Sequence, residues 1–285
     1  MVVRRLAGAS DQWTRGLDRY VLTVALPALV VSKMSRAEFG TDVVVPVVVA
    51  WTAIIGSATV IIVVGRMANW DANVVGAVLM VGVLGNTSFL GLGVVEGLLG
   101  PGHVPSAIAY DQLGTFLALS TYGSWVVGRY GIGETGWRPV ALRLLRFGPF
   151  IALLASPVVA LLHPPASAYR ALDVPAMTVA PVAMFALGWR FTVGHVRGRS
   201  RIVVAGLAWK MVVVPLIVVS VAALTASPTD VAWSASVLQA AAPPMVTAGA
   251  VAVAAGLDAT VVTVTVAVGT LTSFVTLPLW SVVVR

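Results

Sequence analysis

The chain has 285 residues, 59% of them hydrophobic and only 10% charged, with a mean hydropathy of +0.96 and a formal net charge of +7. A soluble domain carries roughly 25% charged residues, so this composition describes a membrane protein with many spans. The basic residues fall in short loops, where they report topology rather than nucleic-acid binding, and the absence of cysteine excludes disulfides, thiolate metal sites and a cysteine nucleophile.

Residues 1–11 contain arginines but no apolar core before a cleavage site, so they do not read as a signal peptide. From there the hydrophobic runs predict nine spans, each near the ~20 residues a bilayer requires. They cover about 17–34, 43–64, 72–99, 105–127, 147–163, 172–193, 201–224, 231–255 and 259–284. The runs are rich in valine, yet they are too long for barrel strands and lack strict alternation.

The third run is long enough to cross a bilayer but carries Leu84-Gly85-Asn86-Thr87-Ser88-Phe89-Leu90-Gly91-Leu92-Gly93 at its centre. Glycine costs about 1 kcal/mol against alanine inside a helix. An asparagine amide finds no solvent in lipid, so the run reads as two half-helices joined by an unwound segment. The eighth run carries Pro243-Pro244, which predicts a second break. Half-helix ends aimed at one point form the ion and anion sites of secondary transporters.

Loop charge sets the orientation. Arg129, Arg138, Arg143 and Arg146 follow the fourth span, and Arg190, Arg197, Arg199 and Arg201 follow the sixth, so both loops are expected in the cytoplasm. Alternation then puts Arg4, Arg5, Arg15 and Arg19 inside and Arg285 outside. Lys33 and Arg36 fall outside against the rule, accompanied by Glu38 and Asp42.

The chain also repeats weakly. Pro27 and Pro181 sit in similar surroundings about 154 residues apart, and Asn86 and Pro243 are about 157 residues apart. A shared offset with reversed orientation is the mark of inverted repeats, predicted here at about 13–128 and 140–285 within one transporter domain spanning 1–285.

The run Gly85-Asn86-Thr87-Ser88-Phe89-Leu90-Gly91-Leu92-Gly93 resembles the auxin efflux carrier family, related to plant PIN proteins and to the bile acid/sodium symporter-like fold. Ala242-Pro243-Pro244-Met245-Val246-Thr247-Ala248, Gly256-Leu257-Asp258 and the segment from Thr270 to Trp280 resemble its second broken helix, the following loop and its last helix. Leu26-Pro27-Ala28-Leu29 and Lys210-Met211-Val212-Val213-Val214-Pro215 match as well, so the resemblance runs from about Trp13 to Val284. It implies a ten-helix, all-α fold of two inverted five-helix repeats in which two broken helices cross, with an organic anion such as an auxin or a dicarboxylate bound at the crossing. Two departures stand out. No counterpart of the family's first helix precedes Trp13, and the family's crossing prolines are replaced by Gly93 and Ala248.

These readings converge on a permease of the cell membrane, as in a bacterial inner membrane, that moves a small organic anion. The rival is a shortened, non-transporting protein or structural partner of the same fold. An intramembrane enzyme is disfavoured, since no paired aspartates or Ser/Lys dyad lie at matching depth, and no cofactor is expected. Asn86 and Thr87, with Gly91 and Gly93, are the candidate substrate residues of the first break, where a helix N-terminus favours a carboxylate. Pro243, Pro244 and Thr247 mark the second, where freed carbonyls can take a cation or accept from substrate; Gln239 lies one turn earlier. Asp111 and Lys210 are the deepest ionisable residues. Asp111 is a candidate proton-coupling carboxylate, and Lys210 either neutralises the substrate or pairs with Asp111. Glu96 is expected at headgroups and Asp258 as a helix cap. His103, His163 and His195 are widely separated, so no metal site is expected. Coupling to a proton or to sodium, and a homodimer, stay open.

Overall fold

A computed structural model describes residues 16–17, 19–36, 43–131, 145, 148–179, 181–182, 185, 199–227 and 229–285. The described residues are almost entirely helical, and the only pairing of extended backbone among them is the isolated bridge between Gly85 and Pro244.

A π-helical turn, Val21–Ala25, leads into α1 (Leu26–Met34), followed by α2 (Val44–Met67). The third hydrophobic run divides into α3 (Ala72–Val81), a π-turn Thr87–Gly91 and α4 (Leu92–Leu99). The fourth comprises α5 (Val104–Ala109), a longer π-helical stretch Tyr110–Phe116, α6 (Leu117–Ser120) and α7 (Tyr122–Tyr130). Next come α8 (Gly148–Leu161) and α9 (Ala166–Met177), which starts earlier than the predicted sixth span. The rest of that span lies mostly outside the described residues.

Helix α10 (Ser200–Ala208) continues through the π-turn Trp209–Val213 into α11 (Val214–Thr225). The eighth run forms α12 (Val231–Ala240) and α13 (Val246–Ala254), and α14 (Ala259–Val283) closes the chain.

Three continuous helical segments, Val44–Met67, Ser200–Thr225 and Ala259–Val283, are long and apolar enough to cross a membrane, and between a third and a half of each is buried in the protein. The remainder faces outward through side chains such as Ile55, Leu216 and Phe274, which suit a lipid belt.

Helix α3 is buried from Val74 to Val81, against α7, α13 and α14. The small residues Ala248, Ala250 and Ala252 on α13 allow the close backbone approach that holds membrane helices together. Helix α12 is enclosed by α2, α5 and α11. Helix α1 packs chiefly on α8 and α9.

Contacts at the two ends of α14 place the described loops around residues 71, 199 and 258 apart from those around residues 98 and 285. At one side Arg199 reaches Asp71 at 3.6 Å and Asp258 at 3.2 Å, and Asp258 donates its backbone N–H to Asn73. At the other, Arg285 donates to the carbonyl of Leu98 at the end of α4.

Candidate functional site

Both breaks follow from local chemistry. Helix α3 stops at Val81, ahead of Gly82, Gly85 and Asn86. Helix α12 stops at Ala240 because Pro243 and Pro244 have no N–H for the carbonyls of Gln239 and Ala240, four residues back. Neither Gly93 nor Ala248 lies in a break: Gly93 is inside α4 and Ala248 inside α13.

The two unwound segments meet. Asn86 donates its backbone N–H to the carbonyl of Pro243 at 2.7 Å, and Met245 donates to Leu84 at 3.0 Å, so that Gly85 faces Pro244 in an antiparallel bridge. Part of the buried backbone freed by each break is thus satisfied by the other, as membrane-embedded irregular backbone requires. Four helix ends converge here: the C-termini of α3 and α12 and the N-termini of the Thr87–Gly91 turn and of α13. Partial positive charge at the N-termini therefore lies beside partial negative charge at the C-termini.

The N-termini differ in how they are capped. Asp230 accepts from Ala232 and Trp233 at the start of α12, and Asp258 accepts from Val261 at the start of α14. At the crossing, Asn86 and Met245 precede helical turns and neither side chain makes a capping hydrogen bond. Asparagine is among the best N-cap residues. Yet the Asn86 amide, 6% exposed, makes no hydrogen bond with the described residues. Thr247, in the first turn of α13, is buried with its hydroxyl also unpartnered among them.

Asp111 lies fully buried beneath the first break. Its Oδ1 accepts from the hydroxyls of Thr87 and Ser88, both at 2.6 Å, and its Oδ2 accepts from Gln112 at 2.6 Å. Thr87 therefore holds Asp111 with its hydroxyl. Gln239, from α12, reaches the first break and α5, where its Nε2 donates to the carbonyl of Ala107 at 3.1 Å and lies 3.5 Å from that of Thr87. Gly91 leaves the room this requires, since a Cβ there would overlap the Gln239 carboxamide. Gly93, by contrast, is exposed with open space around it.

Lys210 is 4% exposed and donates to the carbonyl of Ala240 at 3.0 Å. Asp111 and Lys210 both sit in π-helical stretches, which are common at functional sites because the widened turn displaces a side chain and frees a carbonyl. In each case a tryptophan takes a freed carbonyl: Trp51 on α2 donates to Leu113, and Trp280 on α14 donates to Met211, both at 2.9 Å. Both tryptophans turn their indole N–H groups inward.

Ser88 and Gln112 were not singled out from the sequence, although each is a polar residue beside one that was. Glu96 is exposed near the end of α4, and Asp258 caps α14. Among the described residues no group of three His, Asp or Glu side chains is placed to hold a metal ion. His195 lies outside them.

The membrane transport protein family matches this chain over residues 8–129 and 137–281. An uncharacterized transporter of Methanothermobacter thermautotrophicus (strain Delta H) is 28% identical over 288 residues, covering 99% of this chain and 93% of the relative.

Proposed function

Because the chain belongs to the membrane transport protein family, the auxin efflux carrier group that its broken motifs resemble, we propose that it is a secondary carrier moving a small organic anion across the cell membrane by alternating access. The observation that carries the anion reading is the uncommitted amide of Asn86 at the crossing, beside two helix N-termini without side-chain caps. A carboxylate there would accept from the Asn86 amide and from the N–H groups and hydroxyl at the start of α13, Thr247 included. The Lys210 ammonium, held nearby at Ala240, would offset its charge. Pro243 and Pro244 keep the second helix open, and Gly91 lets the two halves close on each other through Gln239.

The proposed architecture is nine spans in two inverted repeats forming one transporter domain. Its support is the way the loops sort: residues 71, 199 and 258 at one side, 98 and 285 at the other, as alternation of nine spans requires. Asp111 is the proposed proton carrier. Its carboxylate holds Thr87 and Ser88, the first residues of the half-helix after Asn86, so a proton added there removes the charge that strengthens both bonds and weakens the hold on the turn that presents the Asn86 amide.

The test is a thermal-shift screen of the purified protein against mono- and dicarboxylates, followed by flux of the best ligand in proteoliposomes. A saturable shift that disappears in Asn86→Ala, with the variant still folded, supports the reading. Flux unchanged by Asn86→Ala removes Asn86 from the site.

A further inference from the structure

Unwound backbone inside a membrane protein must find partners for its carbonyls, and at this crossing five of them have named donors. The Leu84 carbonyl accepts from Met245, that of Pro243 from Asn86, that of Asn86 from Gly91 and that of Gln239 from Ala242. The Ala240 carbonyl would have taken the N–H of residue 244, but that residue is proline. Its donor is the Lys210 ammonium, brought in from a different span at 3.0 Å.

Ala240 is also the last residue of α12, where the helix dipole concentrates negative charge. In secondary transporters half-helix C-termini and unwound carbonyls of this kind coordinate sodium ions or protons. Here a side-chain cation already stands there. It fills the space beside the first break as well, because a Cβ on Gly85 would lie 3.0 Å from Nζ and 3.4 Å from Cε of Lys210. One ammonium thus touches the negative end of α12 and the backbone of the opposite break.

We propose that Lys210 is a tethered counter-cation, occupying at the crossing the place a bound alkali ion would take, so that the wild-type protein needs no sodium there. Shortening the side chain leaves the Ala240 carbonyl without a donor in a buried space at the negative end of α12. Sodium is the ligand class suited to that space: a small, hard, monovalent cation that takes oxygen ligands. The consequence for coupling rests on the carrier reading above, whereas the cation site does not.

The experiment uses the purified full chain in detergent and compares melting in sodium chloride and in choline chloride of equal concentration. The wild type is expected to melt alike in both. Lys210→Ala is expected to melt lower in choline and to gain a saturable upward shift of a few degrees from sodium, as mass action requires for a ligand bound only by the folded state. Lys210→Met fills the same space with an apolar chain and is expected to gain nothing.

A saturable sodium shift in the wild type, or none in Lys210→Ala, overturns the proposal. If Lys210→Ala cannot be purified folded, wild-type flux in proteoliposomes decides: insensitivity to replacing sodium by choline supports it, and a sodium requirement overturns it. None of the melting measurements contains a carboxylate. A wild type that ignores every carboxylate, paired with a sodium-stabilised Lys210→Ala, would keep this inference and discard the substrate reading.

Discussion

Trp280 and Met211 are joined by a 2.9 Å hydrogen bond from the indole N–H to a backbone carbonyl that the π-turn around Lys210 exposes. The bond ties the last helix of the chain to the segment that positions the buried ammonium. Trp280→Phe keeps most of the packing but removes the donor. Leaving that carbonyl unpaired is expected to cost about 1–3 kcal/mol. The lost donor also lets the turn relax toward ordinary α-helical register, carrying Lys210 away from Ala240. A lower melting temperature together with a weaker carboxylate-induced shift is the expected result. A drop in stability with an unchanged ligand shift would make the bond purely structural.

Gly91 and Gln239 make a second test, this time of how the two breaks pack on each other. A methyl group at residue 91 would overlap the Gln239 carboxamide, which is held in place by the carbonyl of Ala107. Overpacking of this kind costs typically about 1–3 kcal/mol. Gly91→Ala is therefore expected to lower the melting temperature. Adding Gln239→Ala should recover part of the loss, because residues in contact are not additive. Full additivity in the four-variant cycle would mean that the two do not press on each other.

The breaks themselves were legible because their causes are local. Gly82, Gly85 and Asn86 weaken a helix wherever they stand, and Pro243-Pro244 withholds two N–H groups whatever lies nearby. Spacing alone did not say that the breaks would meet. That expectation came from the resemblance, and the geometry behind it is the bridge between Gly85 and Pro244. The site's inner contacts were not legible, since each depends on a partner from another span: Lys210 on Ala240, Asp111 on Thr87 and Ser88, Gln239 on Ala107. The inward bonds of Trp51 and Trp280 were not legible either. Tryptophan near a membrane reads as an interfacial anchor, and nothing local announces that a π-turn on another helix has a carbonyl to offer.

Asp111→Asn separates charge from shape. The asparagine carbonyl can accept from Thr87 and Ser88 as Oδ1 does, and its amide would then face Gln112. Gln112 can turn its carboxamide to meet it, since its Oε1 is buried without a partner among the described residues. The fold should therefore survive with a nearly unchanged melting temperature. Carboxylate flux in proteoliposomes should then lose its dependence on an imposed pH gradient. If the wild type shows no such dependence, Asp111 carries no coupling proton.

Asn86→Asp tests the sign of the substrate's charge. The side chains are nearly the same size, so packing at the bridge between the breaks is little disturbed. Aspartate is also a favoured residue at a helix N-terminus, where it accepts from backbone N–H groups and meets the positive end of the dipole. The variant should fold as well as the wild type or better, all the more because the Lys210 ammonium stands beside the neighbouring Gly85. The same carboxylate satisfies the N–H groups that an anionic substrate would use, and repels it. Affinity for carboxylates should fall at least tenfold, about 1.4 kcal/mol, while the melting temperature holds or rises. Isothermal titration beside a thermal melt reads both quantities. If carboxylate affinity is retained in a well-folded Asn86→Asp, the anion binds elsewhere.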